Sequence, residues 1–213
     1  MLDSFLAQAL YRGLKTTLEL IAISAPLAVV LGISLGLMRV YLPRWPRLLL
    51  DGFVDFVRGI PFLLLLFIAT YGLPDIGIYL TPIQAAVASL VINSGCYMSE
   101  YIKNSVLNLN SLDVLAARSL GFTRRQEIIY VVLPKSIPSS IQPIISETVY
   151  LAQNSTLASL VGVYEVYSSM KTYISYSFET LQPFLALTGI FFFISLGLRT
   201  VGQMIEKQYK TKR

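Results

Sequence analysis

Polar side chains recur at helical spacing within two otherwise apolar stretches of the sequence. Asn93, Tyr97 and Glu100 follow one another at positions i, i+4 and i+7, and Glu147 and Asn154 lie seven residues apart. Residues at these spacings share one face of an α-helix. A carboxylate there can hold a cation, and amide and hydroxyl groups can donate hydrogen bonds to an anion. Because an ionisable group inside a membrane is costly unless it is paired or hydrated, these residues are candidates for a polar path.

The same residues also have a structural interpretation. Small and polar side chains favour close packing between membrane helices, which is the favoured interpretation for Ser94 and fits Asn93 as well as a path role does. Glu100 lies near Lys103, so a structural ion pair is the favoured interpretation at this position. For Glu147 we favour a role in a binding site or gate.

A further charged group lies ahead of these stretches. Arg58 follows Asp55 by three residues, and an Asp and an Arg three apart on a helix can form an ion pair. Pro61 comes within the next turn and predicts a kink, because proline is a usual cause of sharp bends in helices. We therefore assign Arg58 and Pro61 a structural or gating role.

The composition gives little support to enzymatic chemistry. The chain has no histidine and one cysteine, Cys96, so it lacks the commonest general base and metal ligand and any internal disulfide. It contains no GxxxxGK[ST] motif, so it is not itself a P-loop ATPase. Carboxylates are not clustered at metal-site spacing, and we predict no metal site. An ion channel or secondary transporter that uses Glu100 and Glu147 as relays stays an alternative.

Helices in a bilayer must position these candidate residues. Of the 213 residues, 54% are hydrophobic and 14% are charged, and the mean hydropathy is +0.63. Soluble domains carry about a quarter charged residues, so the chain is predicted to be a polytopic membrane protein. Its net charge of +5 comes from cations that flank apolar runs, which argues against nucleic-acid binding. The first apolar run is full length, so we expect no cleaved signal peptide.

A bilayer core needs about 20 mostly apolar residues per helix, which predicts five spans. We place them at about 14–38, 52–73, 80–103, 136–160 and 181–205. The predicted fold class is therefore an all-α integral membrane protein, with a single transmembrane domain over the whole chain.

The placement of lysine and arginine predicts the direction of the spans. With the N-terminus outside, thirteen cations fall on inside segments and three on outside segments, while Arg58 lies within the second span. The inside group is Arg39, Arg44, Arg47, Lys103, Arg118, Arg124, Arg125, Lys135, Arg199, Lys207, Lys210, Lys212 and Arg213. The outside group is Arg12, Lys15 and Lys171. This asymmetry predicts an outside N-terminus, a cytoplasmic C-terminus and a cytoplasmic loop at 104–135.

The loop at 104–135 is predicted to contain a compact, partly apolar helix. Residues 114–120 are rich in alanine and leucine, and Gly121 is the residue type that most often closes a helix in the left-handed conformation. Leu115, Leu120 and Phe122 would be exposed to water without a partner. Two interpretations fit this pattern: docking into the groove of a partner protein, or a helix that lies on the membrane surface.

The sequence of this loop resembles the cytoplasmic coupling loop of ABC-importer permeases of the polar amino-acid type. That loop typically reads E-A-A-R-x-L-G, followed by a stretch with basic residues and glutamine, and then V-x-L-P. The matching residues are Ala116, Ala117, Arg118, Leu120, Gly121, Gln126, Val131, Leu133 and Pro134. Leu115 stands where the family has glutamate. Asp113, two residues earlier, can supply negative charge to the start of the helix.

Further fragments extend the resemblance over nearly the whole chain. Residues 58–61 resemble the R-G-T-P of the family's second span, and residues 92–100 resemble I-N-x-A-A-Y-x-x-E. Residues 146–157 resemble N-E-F-x-x-L-x-K-x-T/S-S-L, with Ser146 in place of asparagine and Gln153 in place of lysine. The order and spacing of the fragments agree with the predicted spans.

The resemblance implies a type I ABC-importer permease fold with a coupling helix between spans three and four. It also implies two cytoplasmic ATPase subunits that bind ATP and Mg²⁺, a second permease subunit, and an extracytoplasmic amino-acid-binding protein. No cofactor is expected in this chain. The implied mechanism is alternating access in the bacterial cytoplasmic membrane.

Three groups of residues carry the expected roles. The coupling group, which docks onto the ATPase, comprises Asp113, Leu115, Ala116, Ala117, Arg118, Leu120, Gly121 and Phe122. The substrate path comprises Asn93, Ser94, Tyr97, Glu147 and Asn154. The structural or gating group comprises Arg58, Pro61, Glu100 and Pro134. The carboxylate and the donors of the path could meet the ammonium and carboxylate of a polar, and in particular a basic, amino acid.

Overall fold

The computed structural model describes residues 2–109 and 111–210, with side chains described for 7–109 and 112–208. Every regular element in this part of the chain is a helix. The α-helices are α1 (Leu2–Tyr41), α2 (Arg44–Gly59), α3 (Phe62–Phe67), α4 (Pro82–Leu107), α5 (Ser111–Ser119), α6 (Arg124–Glu127), α7 (Leu133–Asn154), α8 (Val166–Ser177) and α9 (Leu181–Lys210). Short π- and 3₁₀-helical turns extend or join them at Ile68–Gly72, Leu73–Ile76, Ile128–Val132 and Ser155–Val161. Lys212 and Arg213, two cations of the predicted cytoplasmic tail, lie outside the described residues.

Three helical stretches among the described residues are long and apolar enough to cross a membrane: Ala7–Tyr41, Arg124–Val161 and Leu181–Gln208. The pair Arg44–Gly59 and Phe62–Ile76 passes the same test together, but it is bent by 105° and adds at most one span. α4 has 26 residues, enough to cross a bilayer, although polar residues interrupt its apolar run. It packs against α1, α3 and α7, so its polar side chains can face protein instead of lipid. The fifth span therefore stays a prediction.

Close backbone approach joins α1 and α4, which run parallel at the centre of the fold. Gly32 lies against Met98 and Gly36 against Ile102, so the two helices advance in the same direction. A Cβ atom added at Gly36 would lie 2.7 Å from the Ile102 Cβ. Glycines four residues apart share one helix face, and this spacing permits close contact between membrane helices.

α7 runs antiparallel to α4. Near the start of α7, the Ser140 hydroxyl donates to the Ser105 hydroxyl near the end of α4, at 2.7 Å. Near the end of α7, Leu151 shares an apolar cluster with Leu90 of the first half of α4. The polar residues of the two helices are therefore brought together along a common interface.

α9 and α8 complete the bundle and contact each other. α9 runs antiparallel to α7, since Gly202 lies against Ile145 and Gln142 donates to Glu206. α8 falls within a stretch predicted as a loop and packs on the first half of α1, where the Ser169 hydroxyl donates to a backbone carbonyl at 2.9 Å. The long helices thus alternate in direction around the α1–α4 pair.

The predicted second span at 52–73 is interrupted. α2 ends at Gly59, and the chain turns by 105° before α3 begins. Ile60 is extended, with φ −100° and ψ 145°, as expected of a residue that precedes proline. Pro61 therefore breaks the helix where a kink within a continuous helix was predicted.

The predicted fourth span begins well before residue 136. A continuous helical stretch, here called the Arg124–Val161 helix, includes α6 and α7. Pro134 falls within the predicted loop at 104–135, but it lies inside this helical stretch. Proline lacks an N–H and normally disrupts a helix interior. The π-turn at Ile128–Val132 changes the hydrogen-bond register immediately before it, so the helix continues. The predicted loop at 104–135 is correspondingly shorter, at 108–123.

Candidate functional site

A short capped helix lies between α4 and the Arg124–Val161 helix, and residues 112–123 are here called the coupling segment after the role predicted for them. α5 closes at Gly121, whose φ of 80° is left-handed as predicted. The Gly121 N–H donates to the Arg118 carbonyl at 3.0 Å, and the Phe122 N–H donates to the Ala117 carbonyl at 3.1 Å. This pair of bonds is a Schellman cap, which satisfies carbonyls that a helix end otherwise leaves free. A side chain at Gly121 would be strained in this conformation.

A second cap begins the next helix. The Thr123 hydroxyl accepts from the Gln126 N–H at 3.4 Å, and the Gln126 side-chain oxygen accepts from the Thr123 N–H at 2.8 Å. This reciprocal capping box was not predicted, although T-R-R-Q has the spacing that indicates it. Arg124 then donates to the Tyr41 carbonyl at 2.8 Å, which links the segment to the end of α1.

Two ion pairs fasten the coupling segment to the Arg124–Val161 helix. The Arg118 guanidinium donates to both oxygens of Glu127, at 2.8 and 3.3 Å, and these bonds raise the pKa of Arg118 above its ordinary value. Asp113 lies in the first turn of α5, and its carboxylate is 2.6 Å from Lys135 Nζ. The segment is therefore attached at both of its ends to the same helix.

The coupling segment presents apolar side chains outward. Leu115 is 54% exposed and Leu120 is 77% exposed, whereas Ala117 is buried beneath them. Phe122 packs edge-on against Tyr130, with ring centroids 6.4 Å apart. Exposed apolar groups on a firmly capped helix are suited to a hydrophobic groove on another protein.

A network of five charged side chains lies where the end of α1 meets α2 and α4. Arg39 is 2% exposed; its Nε donates to Asp51 at 2.6 Å and its Nη1 donates to Glu100 at 2.8 Å. Lys103 reaches the same Asp51 oxygen at 3.3 Å, and Arg58 reaches the same Glu100 oxygen at 3.2 Å. Each acid thus has two cationic partners, which compensates for its partial removal from water.

Two pairings expected from local spacing differ in the structure. The predicted Arg58–Asp55 pair is present but long, at 3.8 Å, and the closer partner of Arg58 is Glu100. Lys103, the sequence neighbour of Glu100, pairs with Asp51 instead. The stronger partners lie tens of residues apart along the chain, so helical spacing alone does not reveal them.

Glu147 lies on α7, where it is 6% exposed. The hydroxyl groups of Ser94 and Tyr101, both on α4, lie beside its carboxylate. Its Oε1 atom has no hydrogen-bond partner among the described residues. Buried carboxylate oxygens are normally satisfied, so this atom is available to a ligand or to water that enters between the helices.

The other predicted path residues are only partly gathered at this point. Tyr97 is directed to Arg58: its hydroxyl donates to the Arg58 carbonyl at 3.1 Å, and its ring lies 5.3 Å from the guanidinium. Asn93 is buried on α4. The Asn154 side-chain nitrogen is buried without a hydrogen-bond partner in the described part of the chain. The structure therefore joins Ser94 to Glu147 but assigns Tyr97 to the charge network.

Tyr101, Arg39 and Glu127 are among the residues of these clusters that had no predicted site role. Tyr101 lies seven residues after Ser94, a spacing that indicates the same helix face. Arg39 ends an apolar run, where a cation normally marks only the membrane boundary. Glu127 lies in the basic stretch of the loop, and its pairing with Arg118 depends on the turn between them.

A buried acid also begins α8, at the far end of α1. The Glu165 carboxylate accepts from the backbone N–H groups of Tyr167 and Ser168, at 2.8 and 2.9 Å. Burial nevertheless raises the pKa of Glu165 above its ordinary value. The Val166 N–H donates to the Thr17 hydroxyl at 3.1 Å, so α8 is held on α1 by its first turn.

Comparison with known proteins gives consistent matches along the chain. Residues 28–211 match the family described as the binding-protein-dependent transport system inner membrane component. The chain is 29% identical to the probable amino-acid ABC transporter permease protein YckA of Bacillus subtilis, over 93% of this chain and 88% of that protein. It is 26% identical to the arginine transport system permease protein ArtQ of the same bacterium, over 93% and 91% of the two chains.

A solved structure shares the fold. The crystal structure of an amino acid ABC transporter with histidines superposes with a TM-score of 0.84, at 24% identity, over 95% of this chain and 94% of that one. The arrangement of helices described above is therefore a fold that a solved structure shares. The family match covers most of the sequence, and the chain belongs to the inner membrane components of binding-protein-dependent transport systems, the permease subunits of ABC importers.

Proposed function

We propose that this chain is the permease subunit of an ATP-driven importer of polar amino acids, and that its coupling segment docks onto a separate ATPase. The family and the similarity to amino-acid permeases support the class of function. The observation that carries the docking is the outward position of Leu115 and Leu120 on a capped helix. The ATPase would supply the nucleotide site, with ATP and Mg²⁺, that this chain lacks by sequence.

The coupling segment has a short mechanical route to the membrane interior. Its two ion pairs, Asp113–Lys135 and Arg118–Glu127, join it to the helix that carries Glu147. A displacement of the docked segment would therefore move this helix relative to its neighbours. An ATPase that binds the segment differently in its ATP-bound and ATP-free states would shift the permease between two conformations, which is the requirement of alternating access.

We propose five spans, with the N-terminus outside and the C-terminus in the cytoplasm. The directions of the helices support this topology: α1 and α4 are parallel, whereas α4 and α7, and α7 and α9, are antiparallel. Alternating crossings of a membrane require this pattern. The distribution of lysine and arginine selects the side on which the coupling segment lies.

The substrate class follows from the chemistry around Glu147. A free amino acid carries an ammonium group, and a buried carboxylate with an unpartnered oxygen can receive it. Ser94 and Tyr101 offer hydroxyl donors beside it. Relatives named for arginine and glutamine transport support a polar substrate, and the acidic group favours a basic one.

Two further partners complete the proposed importer. A second permease subunit, identical or related, would cover part of α9, whose Phe192 and Phe193 are exposed. An extracytoplasmic binding protein would meet the opposite end from the coupling segment, where a cavity of about 670 Å³ between α1 and α8 is lined by Arg12, Lys15 and Glu19 among others. The alternative of an ion channel or secondary transporter is not favoured, because the family transports by way of a binding protein.

The docking proposal is tested in vesicles that contain this chain, its ATPase and its binding protein. Leu120→Asp is expected to lower the ATP hydrolysis stimulated by loaded binding protein at least about tenfold, because an unpaired charge would enter an apolar groove. Leu120 is exposed in the isolated chain, so the variant should insert and fold normally. ATPase bound to the purified variant is measured in parallel.

Leu120→Met provides the matched control, since it keeps the apolar character and approximate volume. It should retain both ATPase binding and stimulated hydrolysis. Full stimulation in the Leu120→Asp protein would reject the docking role. A panel of free amino acids, each loaded on the binding protein, identifies the substrate in the same assay.

A further inference from the structure

A cavity of about 310 Å³ lies beside the charge network, between the end of α1, the start of α2 and the end of α4. Four cations and one acid contribute to its lining: Arg39, Arg44, Arg47, Lys103 and Asp51. Three separate helices therefore converge their positive side chains on one space. Such convergence is the electrostatic condition for binding an anion.

The one acidic side chain in the lining, Asp51, does not balance the charge of the four cations. Asp51 is shared by Arg39 and Lys103, at 2.6 and 3.3 Å. Arg44 and Arg47 are exposed, and neither forms an ion pair with any residue that the structure describes. Two guanidinium groups without an ion-pair partner among the described residues thus line a cavity that Arg39 and Lys103 also line. Guanidinium groups match the geometry of phosphate oxygens well.

The cavity lies at the level of a membrane surface. The apolar stretch Ala7–Tyr41 ends immediately before α2. Trp45 is 78% exposed and Leu49 79% exposed in the first turns of α2. Tryptophan concentrates at the boundary between the hydrocarbon core and the headgroups. An anion that reaches Arg44 and Arg47 would therefore have lipid chains as its neighbours.

We propose that this cavity binds the phosphate group of an anionic phospholipid. The shared chemistry is that of a phosphate oxygen, but Leu48 in the lining and the exposed Trp45 and Leu49 nearby on α2 favour a lipid over free phosphate. A zwitterionic lipid would bring an ammonium group towards the same cations, so it would bind less well. Basic pockets between membrane helices bind anionic headgroups in this way. This lipid would belong to the cytoplasmic leaflet of the membrane. That assignment rests on the topology given in the proposed function.

Trp45 is the one tryptophan of the chain and is the sequence neighbour of Arg44, so its fluorescence reports on the lipids beside the start of α2. The full chain is placed in nanodiscs of phosphatidylcholine that contain a small fraction of phosphatidylglycerol with brominated acyl chains, which quench tryptophan on contact. The comparison sample carries the same fraction of brominated phosphatidylcholine. We expect stronger quenching by the brominated phosphatidylglycerol, because the anionic lipid is enriched beside Trp45.

Arg44→Gln combined with Arg47→Gln should lower the preference for phosphatidylglycerol by up to about 30-fold, which corresponds to about 1 kcal/mol for each arginine. Both side chains are exposed, and the buried Arg39 is left intact, so the fold should be retained. Arg125→Gln combined with Arg199→Gln removes the same charge from exposed positions elsewhere. This matched control should keep the preference of the unaltered chain.

Three outcomes would overturn the proposal. Equal quenching by the two brominated lipids in the unaltered chain would show no enrichment of the anionic lipid beside Trp45, and it would reject the lipid site. A change in Trp45 fluorescence with millimolar inorganic phosphate that requires Arg44 and Arg47, without lipid preference, would assign the cavity to free phosphate. Quenching that disappears when the ATPase subunit is added would show that a protein covers it. Because the assay needs no transport, a chain that imports amino acids without lipid preference would reject this inference alone.

Discussion

Glu100 and Glu147 lie on neighbouring helices that pack against each other, yet their surroundings are opposite. Glu100 accepts hydrogen bonds from both Arg39 and Arg58, although its side chain is 22% exposed. Glu147 is more deeply buried, but among the described residues it meets neutral hydroxyl groups, and its Oε1 has no partner. The more buried acid therefore has the weaker set of protein partners.

This difference separates two uses of charge inside a membrane protein. Glu100 is paired with cations in a cluster that joins the end of α1 to α2 and α4. Glu147 forms no ion pair with any residue that the structure describes, so its ionised form would be stabilised by water or by a cationic group that enters between the helices. We propose that this difference in partners, more than burial, distinguishes an acid with a structural role from one in the transport path.

The largest expected effect is on stability and comes from the buried charge network around Arg39. Arg39→Gln would leave Asp51 and Glu100 with one cation each at a site where Arg39 is almost wholly buried. Breaking a buried ion pair costs about 3–5 kcal/mol, so we expect a marked drop in the unfolding temperature in detergent. Lys15→Gln is the control, because its pair with Glu19 is exposed and 3.7 Å long. Equal unfolding temperatures for Arg39→Gln and Lys15→Gln would mean that the buried charge network stabilises the fold no more than an exposed ion pair does.

The second prediction compares the two acids directly. Glu147→Gln should lower amino-acid uptake at least about tenfold, or about 1.4 kcal/mol in the barrier, without loss of stability, because the amide keeps the shape but cannot hold an ammonium group. Glu100→Gln should lower stability by about 1–3 kcal/mol, since it weakens two hydrogen bonds to charged donors. Its uptake per folded molecule should fall less. The reverse ranking in uptake would reject Glu147 as a path residue.

The smallest effect is expected at the edge of the charge network. Asp55→Asn should change the free energy of unfolding by less than about 0.5 kcal/mol, because Asp55 is 67% exposed and 3.8 Å from Arg58. The same substitution at Asp51, which two cations contact, should cost several times more. Thermal unfolding of the two variants side by side checks this gradient. Equal losses would mean that the network is not centred on Arg39.

Local features of the fold were predictable from the sequence because they depend on neighbouring residues. The cap at Gly121 follows from the backbone preference of a single residue, and the long apolar runs lie close to the predicted spans. At Pro61 the sequence predicted a bend but not the complete break of the helix. Pro134 misled the prediction because the π-turn that accommodates it has no simple sequence signal.

The charge network could not be predicted, since it depends on which helices meet. Arg39 contacts Asp51 and Glu100, which lie 12 and 61 residues away along the chain. Within its own helix, Arg39 has the appearance of a boundary cation. Likewise, the spacing of Ser94 and Tyr101 indicates that they share one face of α4. Their approach to Glu147 depends on the antiparallel packing of α4 and α7, which the spacing does not reveal.

The glycine contacts between α1 and α4 have a consequence for motion. Gly32 and Gly36 let the two backbones interlock so closely that one cannot slide along the other without a collision with Met98 or Ile102. We therefore expect the α1–α4 pair to move as one rigid body if the chain changes conformation during transport. Conformational changes would then occur at the contacts between this pair and the other helices. A single methyl group added at Gly36 would be enough to disturb the close contact between α1 and α4.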